Sequence, residues 1–345
     1  MGVASGANYT LFVGIDVAAK TVSASFTDGT LPPARSLTYD QTAAGYRALQ
    51  EQLQASGHPP QTTLVVMEAT GTYWVTLAGT FVQAGYRVSV INAAQAHAFA
   101  KALLKRAKTD SIDAQTLAYL AAKLQPEPWS PPPAVHTELQ QRLLQRDALV
   151  TIRTELRNQH HALIQQPVVV ASVRTRLEQL IAHLDSEIVA VEQEIRVALT
   201  QDEQWARAAK RLQTISGIGM LTTAWILVAT VNFTLCQRAE QATAYASLAP
   251  NPYQSGTSVR GRTSIGRGGN ARLRRVLYLA TLSAARHNPT IKAFYERLRA
   301  AGKPPKVARC AAARKLLHIA WAVVTKDQDY DPTFVLARTQ APGTA

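Results

Sequence analysis

Five prolines fall within eleven residues, QPEPWSPPPAV from Gln125 to Val135, and neither a helix nor a central strand can run through such a stretch. Proline lacks the backbone N–H that both elements use, and its ring clashes with the preceding helical turn. The 345-residue chain is long enough for two or three domains, and the proline run is the natural place to divide it. The sequence on either side has different periodicity.

Before the prolines, short apolar runs alternate with helical ones. LFVGIDV reads as a buried strand ending near an acid. TVSASFTDG follows, with Val22, Ala24 and Phe26 alternating with Thr21, Ser23 and Ser25 as in a half-buried strand, and Asp28-Gly29 as a turn. A third strand is expected around Ser36 to Tyr39 and a helix from Ala43 to Ala55. Then come the strand TLVVMEA, a helix from about Tyr73 to Ala84, the strand RVSVIN and a helix from Ser111 to Leu124. Three leading strands followed by strands alternating with helices is the layout of an RNase H-like α/β sandwich.

After the prolines the pattern is helical. Leu177, Ile181, Leu184, Ile188, Val191, Ile195 and Ala198 step by four and three, a coiled-coil seam. A weaker stripe (Leu149, Ile152, Leu156, Leu163) lies on an earlier helix from about Thr137 to Gln165, and Pro167 turns the chain between the two. A hairpin that pairs with another subunit and an intramolecular bundle both fit this pattern. Further on, apolar residues flank Gly217-Ile218-Gly219 as in a helix-hairpin-helix, whose turn can offer N–H groups to a phosphate; a plain tight turn between packed helices is the alternative. A Gly, Ser and Arg-rich loop then leads into a basic amphipathic helix from Asn270, helices continue to Thr325, and the last residues read as a disordered tail.

Charge is segregated. From Ser255 to Lys326 there are sixteen Lys or Arg and one acid, Glu296, whereas the whole chain carries +14. A segment this one-sided repels itself unless a polyanion screens it, which points to nucleic acid. Two distant cysteines, Cys236 and Cys310, form neither a metal-ligand spacing nor a disulfide framework. The N-terminus has no signal-peptide pattern and no apolar run reaches membrane-spanning length, so a bacterial cytosolic or nucleoid protein with no membrane partner is expected.

Acids are scarce before residue 137, eight in all, and half fall at topologically sensible points. Asp16 and Glu68 end strands, and Asp110 and Asp113 sit at the start of a helix. Strand-end acids on adjacent parallel strands share one edge of the sheet, where open α/β sheets place their sites. Four converging carboxylates repel unless cations neutralise them, and two Mg²⁺ ions (or Mn²⁺) would do so while serving phosphodiester chemistry. Asp113 also reads as a surface acid, and Asp110 after Thr109 as part of a helix cap. An actin-like or sugar-kinase ATPase would need glycine soon after the first acid, but Asp16-Val17-Ala18-Ala19-Lys20-Thr21 has none.

Together GIDVAAKT, MEATGTYW, KTDSIDAQTLA and SLAPNPYQSGTSVRGRTSIGRGGNARLRRVL resemble the DEDD transposases of insertion sequences, related to the Piv and MooV invertases and known as bridge-RNA-guided recombinases. The resemblance implies a RuvC-like metal-binding catalytic domain over residues 1–130, a helical oligomerisation region over 131–205, a basic transposase domain over 206–335 and a disordered tail over 336–345. It implies that Asp16, Glu68, Asp110 and Asp113 are the DEDD set and that Ser255 attacks DNA to form a phosphoserine link. It also implies a structured bridge RNA that pairs with donor and target DNA, and a homo-oligomer, dimer or tetramer, with composite active sites. Taken without the resemblance, a serine in such a loop reads first as a turn residue, and Tyr253, Ser258 and Ser264 are rival nucleophiles. No histidine lies near Ser255, so activation by the metal cluster is the economical expectation. Arg260, Arg262, Arg267, Asn270, Arg272, Arg274 and Arg275, with Lys292, Arg297, Arg299, Lys303 and Lys306, are expected at nucleic-acid backbone. A Holliday-junction-type nuclease using metal-activated water, and a non-catalytic architectural protein, are the competing functions.

Overall fold

Strand β1 (Leu11–Val17) is the centre of a five-stranded mixed sheet. It pairs antiparallel with β2 (Thr21–Thr27), which pairs antiparallel with β3 (Leu37–Asp40). On its other side β1 runs parallel to β4 (Thr63–Glu68), and β4 parallel to β5 (Arg87–Ile91), giving the order β3-β2-β1-β4-β5. The computed structural model describes residues 8–30, 33, 35–69, 71–103, 109–251, 254–255, 259–260, 264–266 and 268–333, with backbone alone at 251, 254, 255, 259 and 260. The chain divides into two compact units, Met1–Pro131 and Pro132–Ala345.

Side chains alternate across a strand, and in the first unit both faces of the sheet are covered. Val13, Ile15 and Met67 pack with Leu49, Leu53, Leu77 and Phe81 of α1 (Ala43–Gln54) and α2 (Trp74–Gln83). Phe12, Leu64 and Val66 pack on the opposite face with Ala96 of α3 (Ala93–Ala102) and with Leu117 and Leu120 of α4 (Asp110–Leu124). The alternation in β2 had suggested a half-buried strand, yet Ser23 and Ser25 are 6% and 0% exposed. Helix α4 packs over β2 as well as β1, and the buried Ser25 hydroxyl is satisfied by donating to the Arg35 carbonyl at 2.7 Å. Helix α3 was not anticipated. Its signals are an alanine-rich run and the Asn92 cap, whose side chain accepts from the Ala94 N–H at 2.8 Å.

One residue sets how closely α4 approaches. A Cβ built on Gly14 would lie 2.0 Å from the Ala118 nitrogen and 2.2 Å from the Ala114 carbonyl oxygen. Only glycine permits this backbone-to-backbone contact.

The second unit opens with an antiparallel hairpin of α5 (Ala134–Ile164) and α6 (Ala171–Gln201). Its base shares one core with α7 (Glu203–Gln213) and α8 (Met220–Thr230) through Leu139, Leu143, Val191, Ile195 and Ala198. Of the expected seam, Ile188, Val191, Ile195 and Ala198 are buried while Leu177, Ile181 and Leu184 are half-buried. Ile152, expected in the α5 stripe, is 46% exposed. The outer seam is instead bridged by ions: Arg146–Glu192, Arg153–Asp185 and Arg157–Asp185, each at 2.8 Å.

Beyond α8 lie α9 (Ala239–Tyr245), α10 (Ala271–His287), α11 (Pro289–Ala300) and α12 (Pro305–Thr325). The Gly217 turn between α7 and α8 has φ +103°, and a Cβ there would meet the Ala284 Cβ of α10 at 2.6 Å. The segment expected as a loop holds two short ladders. β6 (Pro250–Asn251) pairs with β9 (Ser264–Ile265), and β7 (Gln254–Ser255) pairs with β8 (Val259–Arg260). The expected tail, 336–345, lies outside the described residues. Among the described residues no helix is long and apolar enough to cross a membrane.

Gly14→Ala forces α4 off the sheet and is expected to cost about 1–3 kcal/mol or more in urea unfolding. Gly79→Ala, where an added Cβ meets nothing within 4 Å in the middle of α2, is expected to be neutral or to stabilise by about 0.5–1 kcal/mol. Equal effects of the two changes would show that the β1–α4 contact is not limiting.

Candidate functional site

The four acids come from three elements that meet at one edge of the sheet. Ile15 and Met67 are register partners on the parallel strands β1 and β4, so Asp16 and Glu68, one residue further on each, lie side by side. By strand alternation both point to the face covered by α4. Asp110 and Asp113 occupy the first turn of that helix. Its start is fixed twice: the Thr109 hydroxyl accepts from the Ile112 N–H at 3.3 Å, and Ser36 donates to the Ser111 hydroxyl at 2.6 Å. The capping role is therefore Thr109's, and Asp110 is the first helical residue.

Electrostatics tie the other three acids to Asp16. The Asp16 carboxyl, half-buried, is pushed up to about 6, first by desolvation and then by the charges of Asp110, Asp113 and Glu68, against a lowering hydrogen bond from the Val17 backbone. Every group is a hard oxygen donor, the chemistry that Mg²⁺ or Mn²⁺ takes. Among the described residues no three His, Cys, Asp or Glu side chains already converge on a common ligation point, so an ion bound here would draw the carboxylates inward. The donor set and its mutual repulsion fit a divalent cation.

Ser255 lies in β7, its backbone paired with Val259, and Arg260 lies opposite Gln254 in β8. Arg262 and Arg267 lie outside the described residues, as do Tyr253 and Ser258 among the rival nucleophiles. Asn270 caps α10: its Oδ1 accepts from the Leu273 N–H at 2.9 Å, and its Nδ2 donates to the Tyr245 hydroxyl at 3.3 Å. Arg274 turns inward and donates to the Ala246 carbonyl at 3.0 Å. Arg272 and Arg275 face a small cavity of about 190 Å³, where Arg272 stacks over Trp225 at 5.3 Å and lies 3.7 Å from Asp147. On the adjoining helices Arg297 and Lys315 both sit over Phe294, at 5.3 and 4.9 Å. Sequence reasoning missed Ser36, whose bond to Ser111 holds the acid-bearing turn. Nothing in the sequence around Ser36 marks a partner 75 residues away.

Comparison with known proteins agrees with this geometry. Residues 13–168 match the DEDD transposase family model of IS110 type, and residues 209–296 match the model of the transposase IS116/IS110/IS902 family. The chain is 31% identical over 325 residues to the pilin gene-inverting protein of Moraxella bovis, covering 93% of this chain and 97% of that one. The Moraxella lacunata protein of the same name is 31% identical over 326 residues, with the same coverage. The transposase for insertion sequence element IS1111A of Coxiella burnetii is 26% identical over 303 residues, 77% of this chain and 79% of that one.

The acid cluster has a pH signature. A carboxyl raised from 3.8 to about 6 in the fold contributes stability that is present below the unfolded value and lost as pH rises through the folded one. Without divalent ions, Asp16→Asn is therefore expected to match wild type in urea unfolding at about pH 4 and to exceed it at about pH 7. Mg²⁺ should close the gap at the higher pH by stabilising wild type alone. A gap independent of pH would mean that Asp16 is not strained by its neighbours.

Proposed function

Because the chain belongs to the DEDD transposase family of IS110-type insertion elements, we propose that it cuts and rejoins DNA through a phosphoserine intermediate, guided by a structured bridge RNA. Transposase and recombinase chemistry on DNA comes with the family. One observation carries it: Asp16 and Glu68 end neighbouring parallel strands beneath the first turn of α4, which bears Asp110 and Asp113, and burial together with those three charges raises the Asp16 carboxyl to about 6. The strand order and the helices on both faces support an RNase H-like, RuvC-like reading of this unit.

In this reading the four carboxylates hold Mg²⁺, or Mn²⁺, which when bound lowers the barrier to attack at phosphorus by neutralising developing charge. Ser255 supplies the nucleophile. Its oxygen bonds to the scissile phosphorus, the bond from phosphorus to one sugar oxygen breaks, and that oxygen leaves as a hydroxyl carrying the serine's proton. Attack by a sugar hydroxyl of another DNA end reverses the step and frees Ser255. The phosphodiester energy is conserved throughout, so no nucleotide cofactor is needed. Two relatives are named for inverting a pilin gene. Inversion requires cut ends to be rejoined, which favours transesterification over hydrolysis.

The basic segment from Ser255 to Lys326 supplies backbone contacts, which set affinity without reading sequence. Delegating sequence choice to RNA pairing suits a chain whose cations sit on helix surfaces. A homo-oligomer, dimer or tetramer, with composite active sites completes the proposal.

The test is a search for a covalent protein–DNA adduct, using protein, Mg²⁺, the RNA transcribed from the element's flank, and labelled donor and target DNA. Wild type is expected to form an adduct at Ser255 that both Ser255→Ala and Asp16→Ala abolish, while RNA binding persists in both. Free cleaved ends with no adduct would replace this mechanism with metal-activated water. Recombination surviving Ser255→Ala would remove the nucleophile.

A further inference from the structure

The acid-bearing edge has a second feature on the opposite face of the sheet. A cleft of about 530 Å³ opens between the starts of α1 and α2, within the ~300–1,000 Å³ range of small-ligand pockets. Its walls include Gln41, Thr42, Arg47, Thr72, Tyr73 and Thr76, and among the described residues no acid lines it. Gln41 ties the walls together by donating from Nε2 to the Tyr73 carbonyl at 2.8 Å. The Tyr73 side chain is 51% exposed, although large aromatics on a folded chain more often bury most of their area. Its near neighbour Val75 is 45% exposed.

The cleft lies close in the chain to both strand-end acids. Thr72 and Tyr73 follow Glu68 by four and five residues, and the Gln41 N–H donates at 2.9 Å to the carbonyl of Lys20, four residues after Asp16. A cation, several hydroxyls and an exposed ring without acids suit a nucleotide: the cation and hydroxyls take the phosphate and sugar, and the ring stacks the base. A fully paired base has both faces occupied by its neighbours in the helix, so the ring selects an unstacked one.

We infer that this cleft binds an unpaired nucleotide of the DNA strand beside the scissile phosphate, with its base on Tyr73 and its backbone at Arg47. The inference rests on the DNA-cleaving reading of the acid cluster. It adds a subsite that holds the strand open at the sheet edge, so that the phosphate reaches the carboxylates without its duplex.

The experiment is photocrosslinking of the full-length chain, carrying Asp16→Asn so that strands stay intact, to single-stranded DNA bearing 5-iododeoxyuridine, with adducts mapped by mass spectrometry. An adduct at Tyr73 is expected, lost in Tyr73→Ala. Arg47→Glu should lower its yield roughly tenfold. In Tyr73→Phe, which keeps the ring and so controls for folding, the adduct should persist at position 73. Mg²⁺-dependent cleavage of donor and target DNA by the chain with Asp16 intact, supplied with the RNA from the element's flank, is measured in parallel. Cleavage with adducts confined to residues after 132 overturns the cleft alone, as does an adduct at Tyr73 formed only with the matching RNA or only with duplex. A Tyr73 adduct without any cleavage overturns the DNA-cleaving reading and leaves the cleft as a nucleic-acid site. Absence of any DNA adduct overturns the cleft, and absence of cleavage as well overturns both.

Discussion

Strand β1 and helix α4 touch backbone to backbone at Gly14, and the candidate chemistry of the first unit hangs on that contact. Two of the four carboxylates ride on β1 and β4, whose register is fixed by hydrogen bonds. The other two ride on a helix that could slide or lift. A methyl group at position 14 would push the helix axis outward and carry Asp110 and Asp113 away from Asp16. Close approach also buries Ser23 and Ser25 beneath the helix, so the site is bought with polar groups that must find partners under α4.

The second unit uses the same device once more. Gly217, in the left-handed region, lets the turn between α7 and α8 press on Ala284 of α10. The turn is thereby held against the helix that carries Arg272, Arg274 and Arg275. Tyr330 adds a clasp from beyond α12: its hydroxyl donates to Asn288 Oδ1 and shares a hydrogen bond with the Thr290 hydroxyl, at 2.8 Å each. The basic helices are thus presented on a packed scaffold rather than on a flexible arm.

Much of this was legible in the sequence, for identifiable reasons. Strands buried on both faces announce themselves as continuous apolar runs, which is why β1, β4 and β5 could be read directly. The acids at their ends stood out because acids are rare in that unit. What was not legible depends on contacts between distant segments. Ser23 and Ser25 look solvent-facing until α4 is placed over them, and α3 has a weak apolar pattern because little of it is buried. In α5, Ile152 occupies a plausible stripe position, but arginines opposite carboxylates take over the outer seam, and periodicity is blind to that substitution of charge for apolar packing. The ladders around Ser255 have two-residue strands, too short for any alternation to appear. The Tyr73 cleft is legible only in part: its threonines and aromatic lie beside Glu68 in sequence, but Gln41 and Arg47 come from another element.

The ion-paired hairpin has an electrostatic corollary. From Ala134 to Gln201 it carries seven arginines and eight acids, a net of −1, and several of those arginines are already held by carboxylates across the seam. A polyanion gains little by lying along such a surface, since it would have to displace charges already neutralised. The chain's positive excess begins only at residue 255, so these helices, some 45 Å long by the rise of about 1.5 Å per residue over 31 residues, present a long and nearly neutral surface.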